Sequence, residues 1–136
     1  MSKISVIVPV YNEEKNINQF IDRSVTSLNK TKLDYEILFL LDPSTDNSEQ
    51  IILNEIEKNK KIKLIVFSRR FGQPSATMAG INFVTGSRCI IIDCDLQDPP
   101  ELIFDLNKKM DEGYDVVLAT RKLRKGETII KKLVTK

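Results

Sequence analysis

The sequence predicts an α/β domain built on a mostly parallel sheet with helices on both faces, and three observations carry that prediction. β-rich and helix-patterned segments alternate almost from the first residue, as parallel strands joined by right-handed crossovers require. The apolar residues of the second and fourth strands, Tyr35–Leu41 and Arg88–Asp93, run on without a period of two, as in strands buried on both faces. The unusual polar residues then collect where strands end, the edge at which such sheets bind ligands.

Taken in order, Ile4–Val10 reads as the first strand. A helix follows from about Glu13, with Ile17, Phe20, Ile21, Val25 and Leu28 spaced along one face. The second strand ends at Asp42, and the turn-rich Pro43-Ser44-Thr45-Asp46-Asn47-Ser48 opens a helix carrying Ile51, Ile52 and Ile56. Asp46 or Ser48 is expected to cap it. Lys63–Ser68 is a third strand, and the loop Arg69–Pro74 leads into a small-residue helix ending near Gly86. After the fourth strand a helix starts at Pro99-Pro100-Glu101, where proline suits the first turn. It runs through Leu102, Ile103, Leu106 and Met110 to Gly113, and Tyr114–Thr120 reads as a fifth strand. With no repeat, linker or low-complexity stretch, one domain is expected.

Composition narrows the function classes. The 136 residues, 41% hydrophobic and 29% charged, suffice for one soluble core. No apolar run approaches the roughly 18 residues of a membrane span, and Met1-Ser2-Lys3 leads into a strand rather than a signal peptide. A cytoplasmic location is therefore expected. Cys89 and Cys94 lack CxxC spacing and there is no histidine, which removes a zinc site and the Ser/His and Cys/His nucleophilic schemes. Both thiols are expected to be buried and reduced. Acid–base work would fall to a carboxylate, lysine, tyrosine or the substrate itself. The net charge of +2 hides an asymmetry: Arg121–Lys136 holds seven bases and one acid, net +6, while residues 1–120 hold fourteen bases and eighteen acids, net −4. A basic tail on a mildly acidic body points to an anionic partner near that tail.

The chemistry concentrates at Asp93 and Asp95. Buried charge is costly unless paired or metal-bound. With one residue between them, both side chains can fall on one side of an extended chain and share a cation. The bland alternative is a pair of loop or capping acids. Other strand ends supply company: Pro9, Tyr11, Asn12 and Glu13; Asp42 and Ser44; Arg69-Arg70-Phe71-Gly72; Gln97; and Arg121. Neither GxxxxGKS/T nor GxGxxG occurs, which argues against a P-loop NTPase and an ordinary dinucleotide oxidoreductase. A phosphate held by a metal between carboxylates, with arginines in support, stays open. Asp and Gln oxygens would suit Mg²⁺ or Mn²⁺.

The ordered motifs resemble a known family. Ile4-Ser5-Val6-Ile7-Val8-Pro9-Val10-Tyr11-Asn12-Glu13-Glu14 resembles the opening strand of family 2 glycosyltransferases of the GT-A fold, and Asp42-Pro43-Ser44-Thr45-Asp46 is similar to their DDGSxD segment. Ser68-Arg69-Arg70-Phe71-Gly72-Gln73 with Ala79-Gly80 resembles the SRNFG…AG stretch of polyprenyl-phosphate (dolichyl or undecaprenyl phosphate) sugar transferases. Asp93-Cys94-Asp95-Leu96-Gln97-Asp98-Pro99-Pro100-Glu101 resembles their DADLQDPPE. Asp115-Val116-Val117 through Arg121, and Arg124-Lys125-Gly126-Glu127, continue the likeness.

That resemblance implies a Rossmann-like, three-layer GT-A domain over residues 1–121, followed by a basic amphipathic tail at 122–136 that begins an acceptor- or membrane-proximal region. It implies a UDP- or GDP-linked sugar donor and a polyprenyl phosphate acceptor. Pro9, Tyr11, Glu13 and Asp42 would hold base and ribose. Asp93, Asp95 and Gln97 would surround Mg²⁺ or Mn²⁺ and the diphosphate, with Asp93 and Asp95 the catalytic pair. Arg121, and Arg124 with it, would face phosphate. Transfer would invert the anomeric centre. No nucleic-acid partner is expected, a homo-oligomer is left open, and the tail suggests an anionic membrane surface on the cytoplasmic side.

Three positions depart from the family pattern: Leu41 for the first acid of DDGS, Pro43 for its glycine, and Arg70 for asparagine. Family members continue beyond residue 136, so the chain looks like an N-terminal portion. A nucleotide-sugar and metal-binding fragment without turnover, and a family 2 enzyme acting on a saccharide, are the alternatives. A phospho-acceptor signalling domain would need paired acids after the first strand and lysine after the fifth, where Tyr11-Asn12-Glu13 and Arg121 stand.

Overall fold

A computed structural model describes residues 2–120. In chain order the elements are β1 (Lys3–Val10), α1 (Ile17–Lys30), β2 (Asp34–Leu41), α2 (Ser48–Lys58), β3 (Ile62–Val66), α3 (Gln73–Phe83), β4 (Arg88–Ile91) and α4 (Leu102–Asp111). The strands form one sheet in the order β3-β2-β1-β4. Every pairing is parallel, with Val6 opposite Ile37 on one side and Ile90 on the other.

The period of two in β1 sorts its side chains between two cores. Ile4, Val6, Val8 and Val10 pack with Ile17, Phe20 and Ile21 of α1, Ile52 of α2 and Ile103 of α4. Ile7 points the other way, onto Leu38, Leu40 and Ala76 of α3. Handedness explains the split: β1 to β2 to β3 steps in one direction and β3 to β4 steps back, so a right-handed return must cross the opposite face. Small residues let α3 lie close to the sheet. A Cβ on Gly80 would sit 2.6 Å from Ile7 Cγ2 and 3.2 Å from Leu40 Cδ2.

One charge lies within this framework. Glu36 of β2 is buried near the amino ends of the strands, away from the carboxyl ends. Its Oε1 accepts from Ser5 Oγ at 2.6 Å and Thr85 N at 2.7 Å, and its Oε2 from Lys63 Nζ at 2.6 Å and Lys3 Nζ at 3.2 Å. Burial works to raise its pKa, but the bonds from Lys63, Ser5 and Thr85 outweigh it and hold the carboxyl well below the usual range.

Several boundaries and faces differ from the sequence expectation. The helix expected from about Glu13 begins at Ile17, because Glu13 O accepts from both Asn16 N and Ile17 N in a preceding turn. Strand β4 is covered on one face only. Ile91 is half exposed and Cys89 is exposed, since α3 packs over β1 and β2 and leaves that face of β4 bare. Cys94, by contrast, is buried as expected. The fifth strand at Tyr114–Thr120 is not formed. Val116 and Leu118 are largely exposed, and a strand exists only through a partner's ladder bonds, which this segment lacks among the described residues.

Candidate active site

The direction of the chain reverses between β1 and β4, so the loops leaving their carboxyl ends part there and open a crevice. A cleft of about 180 Å³ occupies that place. Its lining comes from Pro9, Val10, Tyr11 and Glu13 after β1, Asp42 after β2, Gln73 and Ala76 of α3, and Asp93, Cys94 and Asp95 after β4. Six of the expected site residues, Pro9, Tyr11, Glu13, Asp42, Asp93 and Asp95, thus share one cavity.

The first wall is stitched to the second. Asn12 adopts a left-handed backbone with φ of 52°, a conformation asparagine tolerates. Its side-chain Oδ1 accepts from Thr45 N at 2.8 Å and its own N donates to Ser44 Oγ at 3.0 Å. Glu13 N donates to Ser48 Oγ at 2.9 Å, and Glu14 N to Asp46 Oδ2 at 3.0 Å. Asp46 also accepts from Ser48 N at 3.0 Å, which secures the start of α2. Ser48 serves the neighbouring loop instead of capping its own helix.

Asp42 is buried and holds the third loop. Its Oδ1 accepts from Phe71 N at 3.0 Å and its Oδ2 from Gly72 N at 2.9 Å. Gly72 has φ of 86°, a turn only glycine makes without strain. The loop so anchored carries Arg70 to Tyr11, its Cζ 3.9 Å from the centre of the ring. Arg69 lies over Phe71 in the same way at 4.8 Å.

At the opposite side, Gln73 Nε2 donates to Asp93 Oδ1 at 2.5 Å, and Asp95 Oδ1 accepts from Gln97 N at 3.0 Å. Leu96 stands between them with φ of 62°, a strained value for a residue with a branched side chain. Gln97 itself is exposed and outside the residues that line the cleft. Buried Cys94 has its thiol pKa pushed up by burial and, further, by Glu13, Asp95 and Asp93, which disfavours the thiolate and so a role as nucleophile.

No cage of three or more His, Cys, Asp or Glu side chains occurs among the described residues. The donor set nonetheless fits a hard divalent cation: two carboxylates face one cleft, one steadied by an amide side chain. Mg²⁺ characteristically takes one or two carboxylates and completes its shell with substrate phosphate and water. Arg121, Arg124 and the tail at 122–136 lie outside the described residues. Sequence reasoning placed Arg70 among the polar residues at the strand ends but passed over Gln73 as a site residue. The signal for Gln73 was its place in the loop after β3, at the same sheet edge as the carboxylates.

Comparison with known proteins bears on the family and the fold. The family model for glycosyl transferase family 2 matches residues 5–136. The glycosyltransferase YkcC of Bacillus subtilis, itself uncharacterized, is 45% identical over 128 residues, which make up 94% of this chain and 40% of YkcC. The chain thus spans about two fifths of that relative's length. Among solved structures, S. aureus TarS 1-349 in complex with UDP superposes with a TM-score of 0.61 at 26% identity, covering 81% of this chain and 32% of that one. The mannosyltransferase PcManGT from Pyrobaculum calidifontis, in complex with GDP-Man and Mn²⁺, superposes at 0.65 and 23% identity over 79% of this chain and 32% of its own, a likeness of fold. The α/β domain with its parallel sheet is that of GT-A glycosyltransferases, and the chain belongs to glycosyl transferase family 2.

Proposed function

We propose that this chain forms the donor-binding part of a glycosyltransferase that takes a sugar from a UDP- or GDP-linked donor. The observation that carries the reading is the single cleft uniting Tyr11, Glu13 and Asp42 with Asp93 and Asp95. Asp42 and Asp93 end strands that flank β1 on either side, about 10 Å apart at ordinary strand spacing. The nucleoside lies toward Tyr11 and Asp42, and the diphosphate toward Asp93 and Asp95.

Mg²⁺ or Mn²⁺ held by Asp93 and Asp95, with Gln97 adjoining, would neutralise charge on the departing nucleoside diphosphate. Gln73 orients Asp93, and Asp95 is steadied by the Gln97 amide. The PcManGT complex with Mn²⁺ supports this choice of metal by likeness of fold. Glu13 and buried Asp42 supply acceptors for base or ribose hydroxyls.

For the acceptor we favour polyprenyl phosphate, on the resemblance of residues 93–101 to the DxDLQDPPE motif. An acceptor that is already an anion needs no dedicated base, consistent with a chain that has no histidine. Arg121 and Arg124 would meet phosphate, and the basic tail would favour the anionic cytoplasmic face of a membrane. The second reading is that residues 1–136 bind the donor and metal without turning the donor over.

Calorimetric titration of UDP- and GDP-sugars with and without Mn²⁺, beside Asp95→Ala, tests the donor site. Metal-dependent binding lost in the variant is expected; binding indifferent to Asp95, or none at all, overturns it. Incubation of the best donor with short-chain polyprenyl phosphate in detergent then separates the two readings, since glycolipid forms only if the chain is competent for transfer.

A further inference from the structure

We infer that Asn12, which is not among the residues lining the cleft, is a positioning residue of the donor site: it holds Tyr11 and Glu13 against the loop that carries Asp42. The inference rests on the donor-site reading above and deepens it. The loop after β1 commits its backbone to the loop after β2. Three successive amides, Asn12 N, Glu13 N and Glu14 N, donate to Ser44 Oγ, Ser48 Oγ and Asp46 Oδ2 at 3.0, 2.9 and 3.0 Å. None of the three is left for a phosphate. This stretch therefore meets a donor through the side chains of Tyr11 and Glu13, which do line the cleft and which flank Asn12 in the chain.

The Asn12 side chain returns a bond in the opposite direction, its Oδ1 accepting from Thr45 N at 2.8 Å. Its backbone is left-handed, with φ of 52°, a conformation that asparagine, aspartate and glycine enter more readily than other residues. Bond and conformation together fix the one residue between the two cleft side chains. Ser44 carries the link onward. Its Oγ receives Asn12 N and donates to Asp42 O at 3.0 Å, while the Asp42 carboxylate holds Phe71 N and Gly72 N of the loop after β3. One run of hydrogen bonds thus joins three loops, and Asn12 stands at its start. A donor that met unlinked loops would have to order them on binding, with a loss of affinity. Fixing the backbone of a single residue corresponds to about tenfold in an equilibrium constant.

The test titrates the 136-residue chain, Asn12→Gly and Asn12→Asp with UDP, GDP and inorganic pyrophosphate in the presence of Mn²⁺. Asn12 is exposed, so neither variant disturbs the core. Affinity is read as the ratio of nucleotide to pyrophosphate, from which a change of charge felt by both largely drops out. Glycine takes the left-handed backbone freely but offers Thr45 N no acceptor. Asn12→Gly should therefore lower the ratio about tenfold, with pyrophosphate affinity unchanged. Asn12→Asp keeps both an oxygen for Thr45 N and the tolerance for positive φ, and should hold the ratio of the unsubstituted chain. An unchanged ratio in Asn12→Gly overturns the inference and leaves the donor site intact, since Asn12 would then do no more than shape its own turn. Parallel loss of nucleotide and pyrophosphate overturns it as a general loosening of the fold. A low ratio in Asn12→Asp overturns it by removing the Thr45 bond from the account. If the unsubstituted chain binds no nucleotide, the donor-site reading fails and this inference with it.

Discussion

Gln73, the first residue of α3, reaches the end of β4, where its Nε2 donates to Asp93 Oδ1 at 2.5 Å. The bond fixes the orientation of a carboxylate proposed to hold metal. Residues that orient a ligand in this way commonly change metal affinity by about 10–100-fold when removed. Gln73→Ala should therefore weaken Mn²⁺ binding about tenfold in the presence of nucleotide, with the melting temperature little changed. Calorimetric metal titration and a thermal melt together check it.

Glu36 should make the fold acid-sensitive. Its folded pKa lies below the ordinary carboxylate value of about 4.3. The stability it contributes is therefore complete above that value and is lost as pH falls below it. Glu36→Gln leaves Lys3 and Lys63 without their shared partner; both ammonium groups reach water, so the cost should be about 1–3 kcal/mol near neutral pH. Urea unfolding at pH 7 and pH 3.5 should show a smaller pH effect in the variant than in the unsubstituted chain.

Two glycines should differ in what they tolerate. A Cβ on Gly80 would meet chiefly side-chain atoms of Ile7 and Leu40, whereas one on Gly86 would lie 2.7 Å from Lys3 O and 2.9 Å from Ser5 N. Side chains can shift and strand backbone cannot. Gly80→Ala also gains about 1 kcal/mol of helix propensity against an overpacking cost of about 1–3 kcal/mol. Chemical denaturation should rank Gly86→Ala as the more damaging of the two.

The contact of α1 with the loop leading to α4 separates a weak link from a strong one. Arg23 meets Glu101 with two bonds, 2.8 and 2.6 Å, but both side chains are substantially exposed. Arg23→Ala should cost less than about 1 kcal/mol. The Glu101 carboxyl, held at about 2 by the bond from Arg23, should rise toward its ordinary value, as an NMR titration would show. Buried Ser27 donates to Glu101 O and accepts from Phe104 N. Ser27→Ala removes both bonds, each worth about 0.5–1.5 kcal/mol, while Phe104 N keeps its 3.3 Å bond to Glu101 O.

What the sequence made legible was set by local pattern. Four strands and four helices follow from alternating periodicities, and the strand ends found the cleft because parallel sheets place ligands there. Glu36 escaped notice because its partners stand 27 to 49 residues away, beyond any local signal. The expectation that β4 is buried on both faces failed at Ile91 and Cys89 because apolar composition says nothing of how far α3 extends across the sheet. Tyr114–Thr120 has strand-like composition, but composition does not supply a neighbour. Asp42 was legible as a cleft residue and not as the anchor of the loop after β3, since its bonds go to backbone amides that carry no sequence mark.

Leu96 joins the cleft to the core beneath it. Its left-handed backbone, φ of 62°, stores about 1–3 kcal/mol of strain, while its side chain packs against the main core. Leu96→Gly would release the strain, give up that packing and loosen the turn that sets Asp95 beside Asp93. Apolar contact with the interior thus holds a reluctant backbone in place, and the spacing of two cleft carboxylates depends on that balance.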